Sequence, residues 1–170
     1  ARVALVTGAA SGIGAATVER FVADGIRVVA FDRASAAARD GVTAVVGDVT
    51  LQHDVDAAID AARRAGGPHI VVNAAGVVAA DDPVDVEDAT WERMLAVNLT
   101  GTMRVCRAAI PLMRAAGGGA IVNVASVAAF NSTPGSASYA PAKAGVVAYT
   151  RNIAFAHGVD GIRANCLCPG

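Results

Sequence analysis

The sequence predicts an α/β fold, a parallel sheet wound on both faces by helices to give three layers. Three observations carry this. Short apolar runs alternate with longer stretches of helical periodicity along the whole chain. The runs are rich in β-branched residues and nearly continuous, as strands are when both faces are covered. The apolar residues, 54% of the chain, are mostly Ala and Val, with aromatics at only 4%. Such small side chains suit close packing of helices on a sheet.

The elements follow in order. Residues 3–7 (VALVT) read as the first strand, and residues 13–24 as the first helix, opening after a glycine-rich turn. Residues 27–31 form a second strand with Asp32 at its end, and residues 43–46 a third. Only residues 33–42 connect these two, so the crossover helix there is short or replaced by a loop. Residues 52–64 read as a helix, 69–73 as a fourth strand and 91–116 as one long helical stretch. Residues 120–125 form a fifth strand, 139–157 another helix and 162–167 a sixth strand. With no internal repeat and no linker, residues 1–170 are expected to be a single domain.

Charged residues make up 17% of the chain, which excludes disorder, and the net charge is −1 without a basic run or acidic tail. That argues against nucleic acid or an anionic membrane as the main partner. No apolar run approaches membrane-spanning length, and no signal peptide is visible. Three cysteines without a scaffold pattern favour free thiols in a reducing compartment, so a cytoplasmic setting is expected. In an extended segment Cys166 and Cys168 would share a face. Zinc needs more ligands than this pair, and the three histidines are scattered, so no metal is expected and buried cysteine is the preferred reading.

One compositional fact points to chemistry. Thirteen of the fourteen basic residues are Arg; the exception is Lys143. Ammonium is a compact point donor, which the planar guanidinium fork cannot imitate. Tyr139 stands four residues earlier, so on a helix the phenol and the ammonium share a face. That pairing suggests acid–base work.

The segment Thr7-Gly8-Ala9-Ala10-Ser11-Gly12-Ile13-Gly14 links the first strand to the first helix. Its glycines let a ligand approach the backbone, and the helix N-terminus favours a pyrophosphate. Asp32, at the end of the second strand, is placed to accept bonds from adenosine ribose hydroxyls and would repel a 2′-phosphate, so NAD is favoured over NADP. Arg33 follows and could support a phosphate, although a plain surface charge is the preferred reading. Asp48 and Val49 follow the third strand. Asp48 either accepts from an adenine amino group or, like Thr50, caps the next helix. Asn73-Ala74-Ala75-Gly76 closes the fourth strand, where small residues would admit a nicotinamide ribose; an ordinary turn is the alternative.

Asn98 lies in the long helical stretch, where Asn has poor propensity. Ser126 follows the fifth strand, with Tyr139 and Lys143 thirteen and seventeen residues later. Together these residues and motifs resemble the short-chain dehydrogenase/reductase family over almost the whole chain. Thr7-Gly8-x-x-x-Gly12-Ile13-Gly14 resembles its coenzyme motif, and Asn73-Ala74-Ala75-Gly76 its N-N-A-G signature, with Ala74 departing from the second Asn. Asn98, Ser126, Tyr139 and Lys143 match its catalytic tetrad, and Pro169-Gly170 its P-G after the sixth strand.

The resemblance implies a Rossmann fold and an NAD-dependent oxidoreductase of secondary alcohols or ketones. In it Tyr139 is the general acid/base, and Lys143 lowers its pKa and binds nicotinamide ribose. Ser126 holds the substrate oxygen, and Asn98 holds a water that relays protons. The coenzyme contacts implied or read above are Gly8, Ser11, Gly12, Ile13, Gly14, Asp32, Arg33, Asp48, Val49, Asn73, Ala75, Gly76, Tyr139, Lys143, Pro169 and Gly170. The alternatives are an NADPH-dependent 3-oxoacyl reductase and a non-catalytic dinucleotide-binding or oligomerisation module.

The family's main subunit interface uses the two long helices, so a homodimer or homotetramer is expected. Family members continue beyond the P-G with a substrate loop, a helix and an edge strand; the sequence is therefore expected to be a fragment lacking them. Residues that choose the substrate would lie there or in the loop 127–138. Pro141 falls between Tyr139 and Lys143. It is tolerated in a first helical turn with Ser138 as N-cap, but disfavours α geometry at Ala140.

Overall fold

The computed structural model describes residues 1–37, 39–131 and 134–170. Six strands form one sheet: β1 (Val3–Thr7), β2 (Arg27–Asp32), β3 (Val42–Val46), β4 (Ile70–Asn73), β5 (Gly119–Val124) and β6 (Ile162–Leu167). Their order is β3-β2-β1-β4-β5-β6, and every neighbouring pair is parallel. The helices are α1 (Gly12–Ala23), α2 (Gln52–Arg64), α3 (Asp88–Leu95), α4 (Thr102–Ala115) and α5 (Tyr139–His157). A π turn, Ala96–Gly101, joins α3 to α4. The long helical stretch expected at 91–116 is thus a helix with a widened turn in the middle, at Asn98.

The chain direction decides which face each helix covers. Parallel crossovers are right-handed, so a step from β1 to β2 and a step in the opposite direction place their connections on opposite faces. α1 connects β1 to β2 and packs Val18 with Val6, Val28, Ala30 and Val72. α2, α4 and α5 serve steps in the other direction and cover the other face. There Leu5, Phe31, Val71 and Ile121 pack with Val55, Val105 and Met113. The β2–β3 connection contains no helix among the described residues; Ala36 from it packs on the α1 side.

This corrects one expectation. Both faces of every strand were expected to be covered, but β3 is largely exposed and β6 is buried on alternate residues only. These strands sit at the two edges, and α1 reaches only the middle of the sheet.

The order of strands reverses between β1 and β4. A crevice opens there beyond the carboxyl ends, the place where doubly wound sheets bind ligands.

Candidate active site at the carboxyl edge of the sheet

The turn after β1 is built by backbone that touches backbone. Gly8 has φ +65°, and a Cβ on it would lie 2.7 Å from Ala75 N. A Cβ on Gly14 would lie 2.0 Å from Gly8 O, so α1 starts directly against the turn. Gly12 has φ +52° and open space where its side chain would be. Asp32 ties the turn to β2: one carboxylate oxygen accepts from Ala10 N at 3.0 Å, the other from Ala34 N at 3.0 Å. The buried Thr7 hydroxyl accepts from Ala75 N at 3.1 Å and couples β1 to the loop after β4.

A cavity of about 340 Å³ lies over this turn. Gly8, Ser11, Gly12 and Ile13 line one side, Asp32 and Arg33 the end of β2. Asp48, Val49, Ala75 and Gly76 line it as well. Gly14 is the packing residue beneath.

The Asn73 side chain points into the core, where Nδ2 donates to Asn123 Oδ1 at 2.8 Å, while Ala74, Ala75 and Gly76 of the same segment line the cavity. The sheet alternation puts it on the same face as Val71, towards α4. Asp48 neither caps α2 nor stands free. One of its oxygens accepts from Thr50 N at 2.8 Å, the N-cap position is Leu51, and Asp54 reaches back to Asp48 N. Phe31, Gly47, Val77, Arg93 and Val97 also line the cavity and were not expected. Phe31 and Gly47 stand beside Asp32 and Asp48 at the ends of β2 and β3, whereas Val77, Arg93 and Val97 are brought there by the loop after β4, α3 and the π turn.

A second cavity, of about 260 Å³, shares Ile13, Ala74, Gly76 and Val77 with the first. Asn98, Ser126, Tyr139, Lys143, Pro169 and Gly170 all line it. Lys143 is buried, and its Nζ donates to Val124 O at 2.8 Å and sits 5.6 Å from the centre of the Tyr139 ring. Burial lowers the Lys143 pKa to about 8. Ser126 follows β5 by two residues. Its Oγ accepts from Ala128 N at 3.2 Å, and a hydroxyl in that state still has a proton to donate.

Asn98 is fully buried in the π turn. Its Oδ1 accepts from Val77 N at 3.2 Å and its Nδ2 donates to Val77 O at 3.0 Å. Both ends of its amide thus bond the loop after β4, and Asn98 also lines the second cavity. Its main-chain oxygen accepts from the Thr102 hydroxyl at 3.0 Å. A Cβ on Gly76 would fall 2.9 Å from Asn98 Oδ1 and 3.5 Å from Lys143 Nζ, so this glycine allows the two to approach.

Ser138 departs from expectation. It is already helical in its backbone and makes no side-chain cap. Its hydroxyl donates to Asp81 Oδ2, and its N–H donates to Asp81 Oδ1 at 3.1 Å. The Ser138 hydroxyl holds the Asp81 carboxyl below the usual Asp range. Asp81 also pairs with Ser136 in a parallel bridge. This staple was not legible, because its halves are 57 residues apart. Ala140 takes up α geometry despite the proline after it, since Pro141 falls in the first turn, where its missing N–H costs no intrahelical bond. Part of the loop expected to choose the substrate, Ser132 and Thr133, lies outside the described residues.

The comparisons agree with this geometry. A short chain dehydrogenase family model matches residues 2–170. The chain is 37% identical to 2-(R)-hydroxypropyl-CoM dehydrogenase of Xanthobacter autotrophicus, over 99% of this chain and 74% of that protein. It is 40% identical to cis-4-hydroxycyclohexanecarboxylate dehydrogenase of Sinomonas cyclohexanicum, over 99% of this chain and 72% of that protein. Among solved structures, a short chain dehydrogenase from Mycobacterium smegmatis superposes with a TM-score of 0.90 at 38% identity, covering 99% of this chain and 75% of that one. With its parallel sheet, glycine turn and Tyr139–Lys143 pair, the chain belongs to the short-chain dehydrogenase family.

Proposed function

We propose that this protein is an NAD-dependent oxidoreductase that moves hydride between nicotinamide and a secondary alcohol or ketone, with Tyr139 as general acid/base. The family consists of oxidoreductases acting on CH–OH and C=O groups with nicotinamide dinucleotides. The observation that carries the reading is that Tyr139, Lys143 and Ser126 line one cavity, which shares Ile13, Ala74, Gly76 and Val77 with the cavity over the glycine turn.

The residues present fit a dinucleotide. The open space at Gly12 and the contact between Gly8 and Ala75 leave a backbone cradle that a side chain would fill. Gly8, Ser11, Gly12 and Ile13 would hold the pyrophosphate at the start of α1. Asp32 would hold the adenosine ribose, with Asp48 and Val49 beside the adenine. Ala75, Gly76, Lys143, Pro169 and Gly170 would hold the nicotinamide end. A bound nicotinamide supplies or accepts the hydride.

In this reading Tyr139 gives its phenol proton to the substrate oxygen, or takes one from it. Lys143, beside the ring, offsets the negative charge that develops on the phenol oxygen. Ser126 donates to the same substrate oxygen and stabilises charge there. Arg33 borders the cavity next to Asp32, a feature that favours NADP and the 3-oxoacyl reductase alternative. Titration with both reduced coenzymes separates the two: tighter binding of NADPH than NADH overturns the NAD assignment.

The test of mechanism is Tyr139→Phe, assayed as NADH absorbance over a panel of secondary alcohols and ketones. Turnover falls by roughly 10²–10⁴-fold while NADH binding is kept. Full turnover in that variant removes Tyr139 from the chemistry.

Residues 1–170 are read as one dinucleotide-binding domain, and the protein as a homodimer or homotetramer. Phe155 on α5 is 90% exposed and Val159 just beyond it 92%, large apolar surfaces that a second copy would cover. A monodisperse monomer in light scattering at micromolar concentration contradicts this. The free thiols Cys106, Cys166 and Cys168 favour a cytoplasmic setting.

A further inference from the structure

Two thiols outside the chemistry above share a face beside it. Cys166 lies in β6 and Cys168 just after it, and alternation turns both towards α5. Both pack against Ala125, Val146 and Val147, and both are half-buried. The segment they flank is held to the residues around Ser126: Ala125 N donates to Leu167 O at 2.8 Å, and Val127 N donates to Pro169 O at 2.9 Å. Pro169 and Gly170 then line the cavity with Tyr139 and Lys143.

The chemistry of the pair narrows its ligand. Burial first, and its neighbour Cys168 second, raise the Cys166 pKa. A thiol that stays protonated at neutral pH reacts slowly with alkylating agents and peroxides. No group of three metal-binding side chains occurs among the described residues, so a tetrahedral metal lacks ligands. A reagent that needs two adjacent thiols, and that removes their protons as it binds, fits both facts.

We propose that Cys166 and Cys168 form a dithiol site for trivalent arsenicals, and that filling it distorts the segment carrying Pro169 and Gly170 and weakens coenzyme binding. With an aryl arsenous oxide, one arsenic–sulfur bond forms to each thiol. The arsenic-bound oxygen leaves as water with both thiol protons, and nothing is oxidised or reduced. Cys106 lies apart on α4, fully buried, with burial pushing its pKa up to about 12.

The experiment treats the full chain with phenylarsine oxide and reads intact mass and NADH fluorescence. The expected mass is one adduct less one water, located by tryptic mapping on the peptide that begins at Ala164. Excess mercaptoethanol leaves it in place and dimercaptopropanol removes it. Cys166→Ser and Cys168→Ser each lose the adduct to mercaptoethanol. An adduct that mercaptoethanol strips from the unsubstituted protein, or that either serine variant keeps, overturns the site. Loaded protein is expected to lose most of the fluorescence change on adding NADH, and to recover it after the dithiol. Unchanged NADH binding by stably loaded protein overturns the link to the crevice. That second arm rests on the coenzyme reading above. Untreated protein that ignores NADH refutes the coenzyme reading, while the mass arm still decides the dithiol.

Discussion

Lys143 shows how one buried charge couples folding to function. Burial lowers its pKa to about 8 from an ordinary 10.5. Between those values the unfolded chain binds more protons than the folded one, so stability rises with pH across that window. The difference between the two pKa values corresponds to about 3 kcal/mol. Thermal melts between pH 7 and 10 should therefore show a gain with pH in the unsubstituted protein, relative to Lys143→Met, which lacks the group. Equal pH slopes for the two proteins would mean that the ammonium is not desolvated. The glycines of the turn make a second contrast. Gly14→Ala puts a methyl 2.0 Å from Gly8 O and has no room to relax, so a loss of at least ~3 kcal/mol in urea unfolding is expected. Gly12→Ala meets open space and carries only the strain of φ +52°, about 1–2 kcal/mol. It should fold and bind NADH weakly, because its methyl enters the cradle.

At the scale of elements, two joints place the chemistry. The π turn in the α3–α4 helix points Asn98 at the loop after β4, which it grips through both ends of its amide. Asn98→Ala leaves the Val77 N–H and C=O unpaired and should cost about 2 kcal/mol in urea unfolding. The sequence marks Asn98 as a poor helix former and as a match to the family's tetrad; its bonding partner is 21 residues away, so its grip on that loop appears only in the fold. The second joint is the Asp81 staple on Ser138, immediately ahead of Tyr139. Asp81→Ala should speed amide hydrogen exchange at residues 136–138 while the sheet stays protected. Exchange unchanged there would show that the first turn of α5 holds itself in place. Because its partner keeps the Asp81 carboxyl below the usual range, the staple is complete above that range and fails as pH falls through the folded value.

At the scale of the molecule, the direction of travel through the sheet does most of the positioning. A chain that moves one way from β1 to β3 and the other way from β4 to β6 must reverse once, and the reversal opens the crevice. The sequence by itself determined the strands β1 and β6 and the helices α2 and α5 at their observed bounds. Periodicity and turn residues act within a few positions, and there the signal is complete. It also placed the glycine turn, Asp32, Ser126, Tyr139 and Lys143, because each sits at a fixed offset from an element end. Only the tertiary structure decided that Asn73 faces the core, since alternation assigns residues to two faces without saying which face holds the cavity. Only it supplied the Val77, Arg93 and Val97 walls, the Asp81 staple and the bare faces of β3 and β6. Those depend on contacts between segments far apart in the chain and on the handedness of its crossovers, and neither is written in any local stretch of residues.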